Sequence, residues 1–566
     1  MALKTLSTTR GENLTGTPWD VYPRPQLRRD SFLNLNGSWD FAVTDGTAPP
    51  ADFDLQITVP FCPESALSGI GRHFPEGARL HYRKVFRLPE GFLRDRVLLH
   101  LGAVDQICDI YVNHRHLFHH EGGYTAFEVD ITDALADTNE LLICAQDSLH
   151  DQSFPYGKQT MNRGGMWYTP VSGIWQTVWL ESVPREYIRA LDIRVTEAAA
   201  HITVTPALSG TVLAEGKAYP LTDGKATVTP ETPRLWTPEA PHLYPFSIIT
   251  EADRVESYFA LRTLETKIIR GLPRLCLNGE PYFFHGLLDQ GYWPDGIYTP
   301  ATPESYADDI LAMKRLGFNT LRKHIKVEPE QFYYDCDRLG MLVFQDMVNN
   351  GDYSFFRDTA LPTVGIQKLP DKGLHRDPAT RQAFLQTMEK TVTQLKNHPS
   401  IVYWTIFNEG WGQFDSTDAC RRLRKLDDSR FIDATSGWFR GGETDVESLH
   451  IYFGPWGKLK PGKRPLVLSE FGGYTYPVAE HIFNPEKAYG YKSCPTLEAF
   501  QNDLAVLYHS RILPAVANGL CAAIYTQVSD VEDEINGLLT YDRKVCKADE
   551  ASMTAIAQLL QEAIGK

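Results

Sequence analysis

The sequence predicts a multidomain chain of β plus α/β class: a jelly-roll β-sandwich, an immunoglobulin-like β-sandwich and a (β/α)8 TIM barrel. Three observations predict it. Residues 1–184 and 185–262 carry short alternating strands and turn signals without a convincing helix. From residue 263 onward, apolar strands alternate with helical stretches, as in a chain of βα repeats. Two of those strands end in glutamate, followed at once by glycine and aromatic residues. The C-terminal ends of barrel strands are where such a fold carries its reactive groups.

Each element has its own warrant. In the first region Val97–Leu101 and Cys108–Val112 alternate, and Asn113-His114-Arg115-His116 and Glu121-Gly122-Gly123-Tyr124 break them. Ile174–Leu180 closes that domain. The second region has strands at Ile202–Thr205, Ala226–Val228 and Phe246–Ile249, with the proline-rich Pro233–Pro241 as an extended loop. Its length suits a small sandwich. The third region, 263–566, offers eight strands: Phe283–Leu287, Thr320–Lys323, Leu342–Asp346, Val402–Asn408, Phe431–Ala434, Leu449–Tyr452, Leu466–Glu470 and Ala522–Gln527. Helices are expected at Pro303–Leu316, Arg381–Leu395, Leu497–Val516 and Ala551–Ile564. Asp352–Thr380, between strands three and four, is expected to shape the entrance to the barrel.

Composition narrows the partners. Hydrophobic residues make up 43% and charged residues 22% of the 566, which places the chain among ordinary globular proteins. Lys and Arg total 56 against 71 Asp and Glu, a net charge of −15. That balance disfavours phosphate backbones and anionic membranes, so neither nucleic acid nor a membrane is expected as a partner. Homo-oligomerisation is left open. The nine cysteines are scattered without a C-x-x-C pair, which fits a reducing compartment. The first residues lack an apolar core of signal-peptide length, so a cytoplasmic location is expected.

The two glutamates carry the chemistry. Glu409 ends Tyr403-Trp404-Thr405-Ile406-Phe407-Asn408-Glu409, and Glu470 ends Leu466-Val467-Leu468-Ser469-Glu470. Strands four and seven lie three apart in an eight-stranded ring, so their ends face each other across the mouth. Paired carboxyl groups on opposite sides of a cleft suit cleavage of a glycosidic bond: one protonates the leaving oxygen, the other attacks the anomeric carbon. A separation of about 5–5.5 Å would make the reaction retaining, and about 6.5–9.5 Å inverting. Asn408 stands where it could hydrogen-bond a sugar hydroxyl beside the anomeric centre.

At these residues the chain resembles glycoside hydrolase family 2, the family of β-galactosidases, β-glucuronidases and β-mannosidases. Asn408-Glu409 and Ser469-Glu470 resemble its acid/base and nucleophile motifs. Leu33–Trp39, Tyr111-Val112-Asn113, Gly122-Gly123-Tyr124 and Ser172–Gln176 resemble its sugar-binding-type domain. Leu235–Glu239 resembles its immunoglobulin-like domain, and Leu277-Asn278-Gly279-Glu280 the hairpin entering its barrel. The resemblance implies a retaining exo-glycosidase with Glu409 as acid/base, Glu470 as nucleophile and Tyr452 bonded to the nucleophile. It implies a small-molecule glycoside or oligosaccharide as partner and no cofactor.

Departures from the family pattern bear on the sugar. Many relatives carry Arg-x-Ser-His-Tyr-Pro after strand two, where this chain has Arg322-Lys323-His324-Ile325-Lys326. His324 and Lys323 are therefore candidates for substrate contact. Gln345-Asp346 replaces the usual Asp-Glu after strand three, which removes a metal-binding glutamate, so no metal is expected. Tyr525, in place of a Trp-containing stretch, is the candidate platform under the sugar. Glucuronidases carry Asn-x-Lys before a matching glycine, whereas this chain has Glu534 and Asn536. An acidic group there would repel a uronate. Asp289, Trp411, Trp438 and Asn536 complete the candidate sugar-contacting set.

The leading expectation is a terminal neutral sugar, β-D-galactose first. The alternatives are an α-L-arabinoside, β-mannoside, β-glucoside, galactofuranoside or, last, a β-glucuronide, or else a carbohydrate-binding protein with a silent barrel. His114–His120 reads as a surface loop without acidic ligands, and Asn13-Leu14-Thr15 and Asn36-Gly37-Ser38 as chance glycosylation sequons.

Overall fold

The computed structural model describes residues 3–46, 50–149, 151–363, 366, 370–439, 442–453 and 459–565. Its first strands obey period-two burial. In Ile107–Val112, Cys108, Ile110 and Val112 are buried while their neighbours are half-buried. Six antiparallel strands form one sheet, ordered Leu55–Val59, Gly37–Thr44, Arg79–Phe86, Asn139–Gln146, Ile107–Val112 and Arg115–Glu121. A four-stranded sheet packs over it, and Trp39, Phe41, Tyr82, Leu99, Ile110, Ile143 and Leu180 share the core between them. This is a β-sandwich.

One expectation is corrected here. Residues 115–121 form an edge strand rather than a loop, paired to Ile107–Val112. Acidic partners are present too: His116 Nε2 and His119 Nδ1 each lie 2.9 Å from Oδ1 of Asp109. Alternation was obscured there because both faces of an edge strand carry polar residues.

The second sandwich has three strands against four. Ala200–Thr205 shows the pattern, with Ala200, Ile202 and Val204 buried and the intervening residues exposed. Trp236 is fully buried and donates from Nε1 to the carbonyl of Asp337, 2.8 Å away, tying this sandwich to the barrel.

Eight parallel strands build the barrel: β1 (Phe284–Asp289), β2 (Thr320–Lys323), β3 (Leu342–Asp346), β4 (Ile401–Asn408), β5 (Phe431–Ser436), β6 (Glu447–Ile451), β7 (Leu466–Gly472) and β8 (Leu520–Thr526). All eight expected strands are present, shifted at their ends by up to two residues. The ladder runs β5-β4-β3-β2-β1-β8-β7-β6. Between β5 and β6 side chains take over: Ser436 and Ser448 hydroxyls lie 3.4 Å apart, and Ser436 Oγ is 3.0 Å from His450 Nε2. Every residue of β4 and β7 is buried, as expected where helices or loops cover the outside and side chains fill the inside.

Helices α1 (Glu304–Arg315), α2 (Glu330–Leu339), α3 (Pro378–Leu395), α4 (Ser416–Leu426), α5 (Leu497–Leu507) and α6 (Glu550–Ile564) follow β1, β2, β3, β4, β7 and β8. Among the described residues no helix follows β5 or β6. α5 continues through a π-helical turn, Tyr508–Ile512, into Leu513–Val516. The 352–380 segment contributes a turn of π-helix at Phe355–Ala360; its residues 364, 365 and 367–369 lie outside the described residues. No described helix is long and apolar enough to cross a membrane.

Aromatic rings fill the barrel floor. Phe344 stacks on Tyr403 at 4.1 Å, and Phe284 contacts both Phe344 and Phe431. A dry, close-packed floor closes the base of the barrel to water.

The two sandwiches meet at a buried cation. Arg29 donates to Oε1 of Glu181 (3.0 Å) in the first and to both carboxylate oxygens of Asp253 (3.0 and 2.7 Å) in the second. Arg29→Met strips both carboxylates of this partner. We expect a loss of about 3–5 kcal/mol of stability, read from chemical denaturation.

Candidate active site

The polar cluster sits above the aromatic floor and is organised by Arg322 of β2. Its side chain points into the barrel and is fully buried. Nε donates to Asp346 Oδ1 (3.0 Å) and Nη1 to Glu470 Oε1 (3.1 Å) and the Ser469 carbonyl (3.0 Å). Nη2 donates to Asn408 Oδ1 at 2.8 Å. Strands β2, β3, β4 and β7 thus converge on one guanidinium.

Glu470 has a second donor. Tyr452, directly after β6, donates its hydroxyl to Oε2 at 2.6 Å and lies 2.9 Å from the Thr526 hydroxyl. Glu409 follows β4 at φ 51°, a left-handed conformation unusual for glutamate, and its N–H donates to the Ser436 carbonyl at 2.8 Å. Such strained backbone is common where a side chain must be aimed at a site. Nδ1 of His450 lies 2.7 Å from Glu409 Oε1 and 3.6 Å from Glu470 Oε2. One oxygen of each glutamate and an imidazole nitrogen fall within 4.8 Å of one another. A cation could use that trio, but the same atoms already serve Arg322, Tyr452 and the imidazole–carboxylate contact.

The two carboxyl groups are pushed apart in acidity. Burial is the largest influence on Glu409 and raises its pKa; the contact with His450 opposes this, and the charge of Glu470 adds to the rise. Burial also raises Glu470, but His450, Arg322, His324 and Lys158 together outweigh it and hold that carboxyl down at about 2. A protonated acid beside an ionised carboxylate is the division of labour that glycoside cleavage requires.

The remaining candidates divide sharply. Asn408 is buried with Nδ2 free of any described partner, a donor aimed into the site. His324 Nδ1 is 2.7 Å from Asp346 Oδ2, and burial, reinforced by Lys158, pulls its pKa down to about 4, so it is neutral near pH 7. Trp411 stacks on Trp167 at 5.3 Å, and Trp438 lies edge-on to His450 at 5.5 Å.

Four candidates stand apart from this cluster. Lys323 points outward from β2, bonded to Asp289 (2.6 Å) and Glu328 (2.9 Å), so Lys323 and Asp289 neutralise each other outside the barrel interior. Tyr525 is fully buried on the outside of β8, where its ring lies against Gly472 so closely that a Cβ there would sit 2.2 Å away. β8 turns Thr526 toward Tyr452 and Glu470 in its place. Asn536 is fully buried and spans Gln527 and Glu534, each at 2.9 Å.

Arg322 and His450 were not singled out from the sequence. Their strands, Thr320–Lys323 and Glu447–Ile451, mix polar and apolar residues, so no apolar run set either side chain apart.

Comparison with known proteins agrees with this geometry. Residues 273–546 match "Glycosyl hydrolases family 2, TIM barrel domain", and 74–165 match "Glycosyl hydrolase 2 galactose-binding domain-like". The chain belongs to glycoside hydrolase family 2. By that membership it is a glycosidase. It is 25% identical to a β-galactosidase of Thermoanaerobacter pseudethanolicus over 79% of this chain, spanning 62% of that protein's length. It is 24% identical to a Chlorocebus aethiops β-glucuronidase over 86% of this chain and 84% of that one. Its fold matches a solved family 2 β-galacturonidase from Eisenbergiella tayi, with a TM-score of 0.68, 18% identity, and 96% and 99% of the two chains covered. A Dictyoglomus thermophilum β-D-glucuronidase gives 0.70 at 17% identity, covering 96% and 98%.

His450 lowers the pKa of both glutamates. His450→Asn removes that influence, so both pKa values rise. Under the roles proposed below for Glu470 and Glu409, the acid and alkaline limbs of kcat/KM should both move to higher pH. A pH–rate profile of the variant against the parent checks it.

Proposed function

We propose that this family 2 glycosidase is exo-acting and retaining, and that it releases a terminal neutral sugar, with β-D-galactose the leading candidate. The observation that carries the mechanism is the proximity of Glu409 and Glu470, with one oxygen of each within 4.8 Å. That spacing suits direct attack by a carboxylate and leaves little room for an intervening water.

The steps follow from the contacts. Glu409, held protonated, gives its proton to the glycosidic oxygen as the bond breaks. Glu470, ionised and aimed by Arg322 and Tyr452, attacks the anomeric carbon from the opposite face. A glycosyl ester forms on Glu470. Glu409, now a carboxylate, takes a proton from water, which attacks the same carbon and releases the sugar with its original configuration. The Nδ2 of Asn408, which has no partner among the described residues, is placed to donate to a hydroxyl beside that carbon.

The neutral-sugar reading rests on the loop after β8. Glu534 is buried and bonded to the Tyr168 hydroxyl and to Asn536 (2.9 Å). A fixed acidic group there disfavours a sugar carboxylate nearby. The relatives named above carry both galactosidase and glucuronidase names and do not choose between these sugars.

The test is a panel of nitrophenyl glycosides: β-galactoside, β-glucoside, β-mannoside, α-L-arabinoside, β-galactofuranoside and β-glucuronide. The β-galactoside should be cleaved best. Glu470→Gly should lower its turnover by about 1,000-fold or more, as loss of a nucleophile does. Undiminished turnover by that variant would refute the assignment.

A further inference from the structure

Four lysines are buried among the described residues: Lys158, Lys323, Lys326 and Lys547. Three have carboxylates at hydrogen-bonding distance. Lys323 bonds Asp289 and Glu328, Lys326 bonds Glu328 at 3.0 Å, and Lys547 bonds Asp530 at 2.7 Å. Among the described residues the Lys158 ammonium meets two ring faces, Tyr168 at 5.6 Å and Trp411 at 5.7 Å, and no carboxylate. Ring faces accept none of the three N–H donors of an ammonium, which are left open to a ligand.

Its position shows what those donors face. Lys158 belongs to a loop from the first sandwich that descends on the barrel mouth. Tyr156 donates from its N–H to the Asn349 carbonyl (3.1 Å) and from its hydroxyl to the Gly351 carbonyl (2.8 Å). Gly157, at φ 67°, lies so near the loop after β2 that a Cβ would be 3.1 Å from the Ile325 carbonyl. The descent therefore needs glycine at this point. The far end of the loop stacks Trp167 on Trp411, two residues beyond Glu409. The charge of Lys158 also acts on Glu409, Glu470 and His324, so the ammonium lies near all three.

We propose that Lys158 is a substrate-binding residue that the first sandwich supplies to the barrel, its ammonium donating to an oxygen of the sugar held between Glu409 and Glu470. The sugar completes the coordination that the protein leaves open. This deepens the glycosidase reading and rests on it. The acceptor is a ring hydroxyl for a neutral sugar, or a carboxylate oxygen for a hexuronic acid.

The experiment compares the full-length parent with Lys158→Met and Lys158→Arg on 4-nitrophenyl β-D-galactoside and β-D-galacturonide, with thermal melts of each. Lys158→Met should lose about 10- to 100-fold in kcat/KM on the parent's better substrate, the worth of one charge-assisted hydrogen bond, with an unchanged melting temperature. Lys158→Arg should recover part of the loss. On the neutral sugar, one deoxygenated galactoside should cost the parent as much as the substitution does and cost Lys158→Met nothing further. Preference for the galacturonide, abolished by Lys158→Met, would support the role of Lys158 while overturning the neutral-sugar reading. Parent activity on neither substrate would overturn the galactose reading alone, and the same variants are then compared on the glycoside of the panel that the parent cleaves best. Should the variants not fold, galactose protection of Lys158 in the parent from amine acylation, read by mass spectrometry, supports the contact, and equal labelling with and without sugar overturns it. Activity of folded Lys158→Met within twofold of the parent on both substrates also overturns it.

Discussion

A single buried guanidinium holds the reactive centre together. Arg322 binds Glu470, the Ser469 carbonyl behind it, Asp346 and the Asn408 side chain. It thereby ties β7 across the barrel to the neighbouring strands β2, β3 and β4. The arrangement is also electrostatically necessary. Glu470, Asp346 and Glu409 crowd into a space shielded from water, and without Arg322 at least one more of them would bind a proton. Burial opposes ionisation of Asp346, yet Arg322 and His324 hold its pKa below the ordinary carboxylate value.

From that fixed point the two glutamates acquire different chemistry from one environment. Both are enclosed, and both lose hydration. Glu470 receives the guanidinium, a tyrosine hydroxyl and the nearby imidazole, so its charge is kept. Glu409 receives the imidazole but also faces the charge of Glu470, and its pKa is raised. His450 lies close to both carboxyls and lowers the pKa of each.

The surrounding domains complete the site as well as carry it. The loop at Tyr156–Tyr168 crosses from the first sandwich to the barrel mouth, and Arg163 pairs with Asp533 at 3.0 Å in the loop after β8. Tyr168 reaches Glu534 in the same loop. One wall of the pocket is thus built by residues more than 300 positions apart, and its geometry depends on the docking of sandwich against barrel.

Much of this was legible in the chain itself. The eight barrel strands and most helices could be read because apolar runs and turn residues are local signals. Glu409 and Glu470 could be read because each closes a fully buried run, where a charged side chain needs a purpose. Strand parity was not legible. In Leu321-Arg322-Lys323 two cations are adjacent, and nothing local says which faces inward; barrel closure turned Arg322 to Glu470 and Lys323 to Asp289. The same choice turned Thr526 inward and Tyr525 outward, against Gly472. Lys158 lay in a loop whose destination no local pattern encodes. Sequence by itself determined the elements and the two carboxyls that close buried strands, because hydrophobic periodicity and buried charge are properties of short segments. Which neighbours meet them was decided by the tertiary structure, since ring closure and domain docking set distances between residues far apart in the chain.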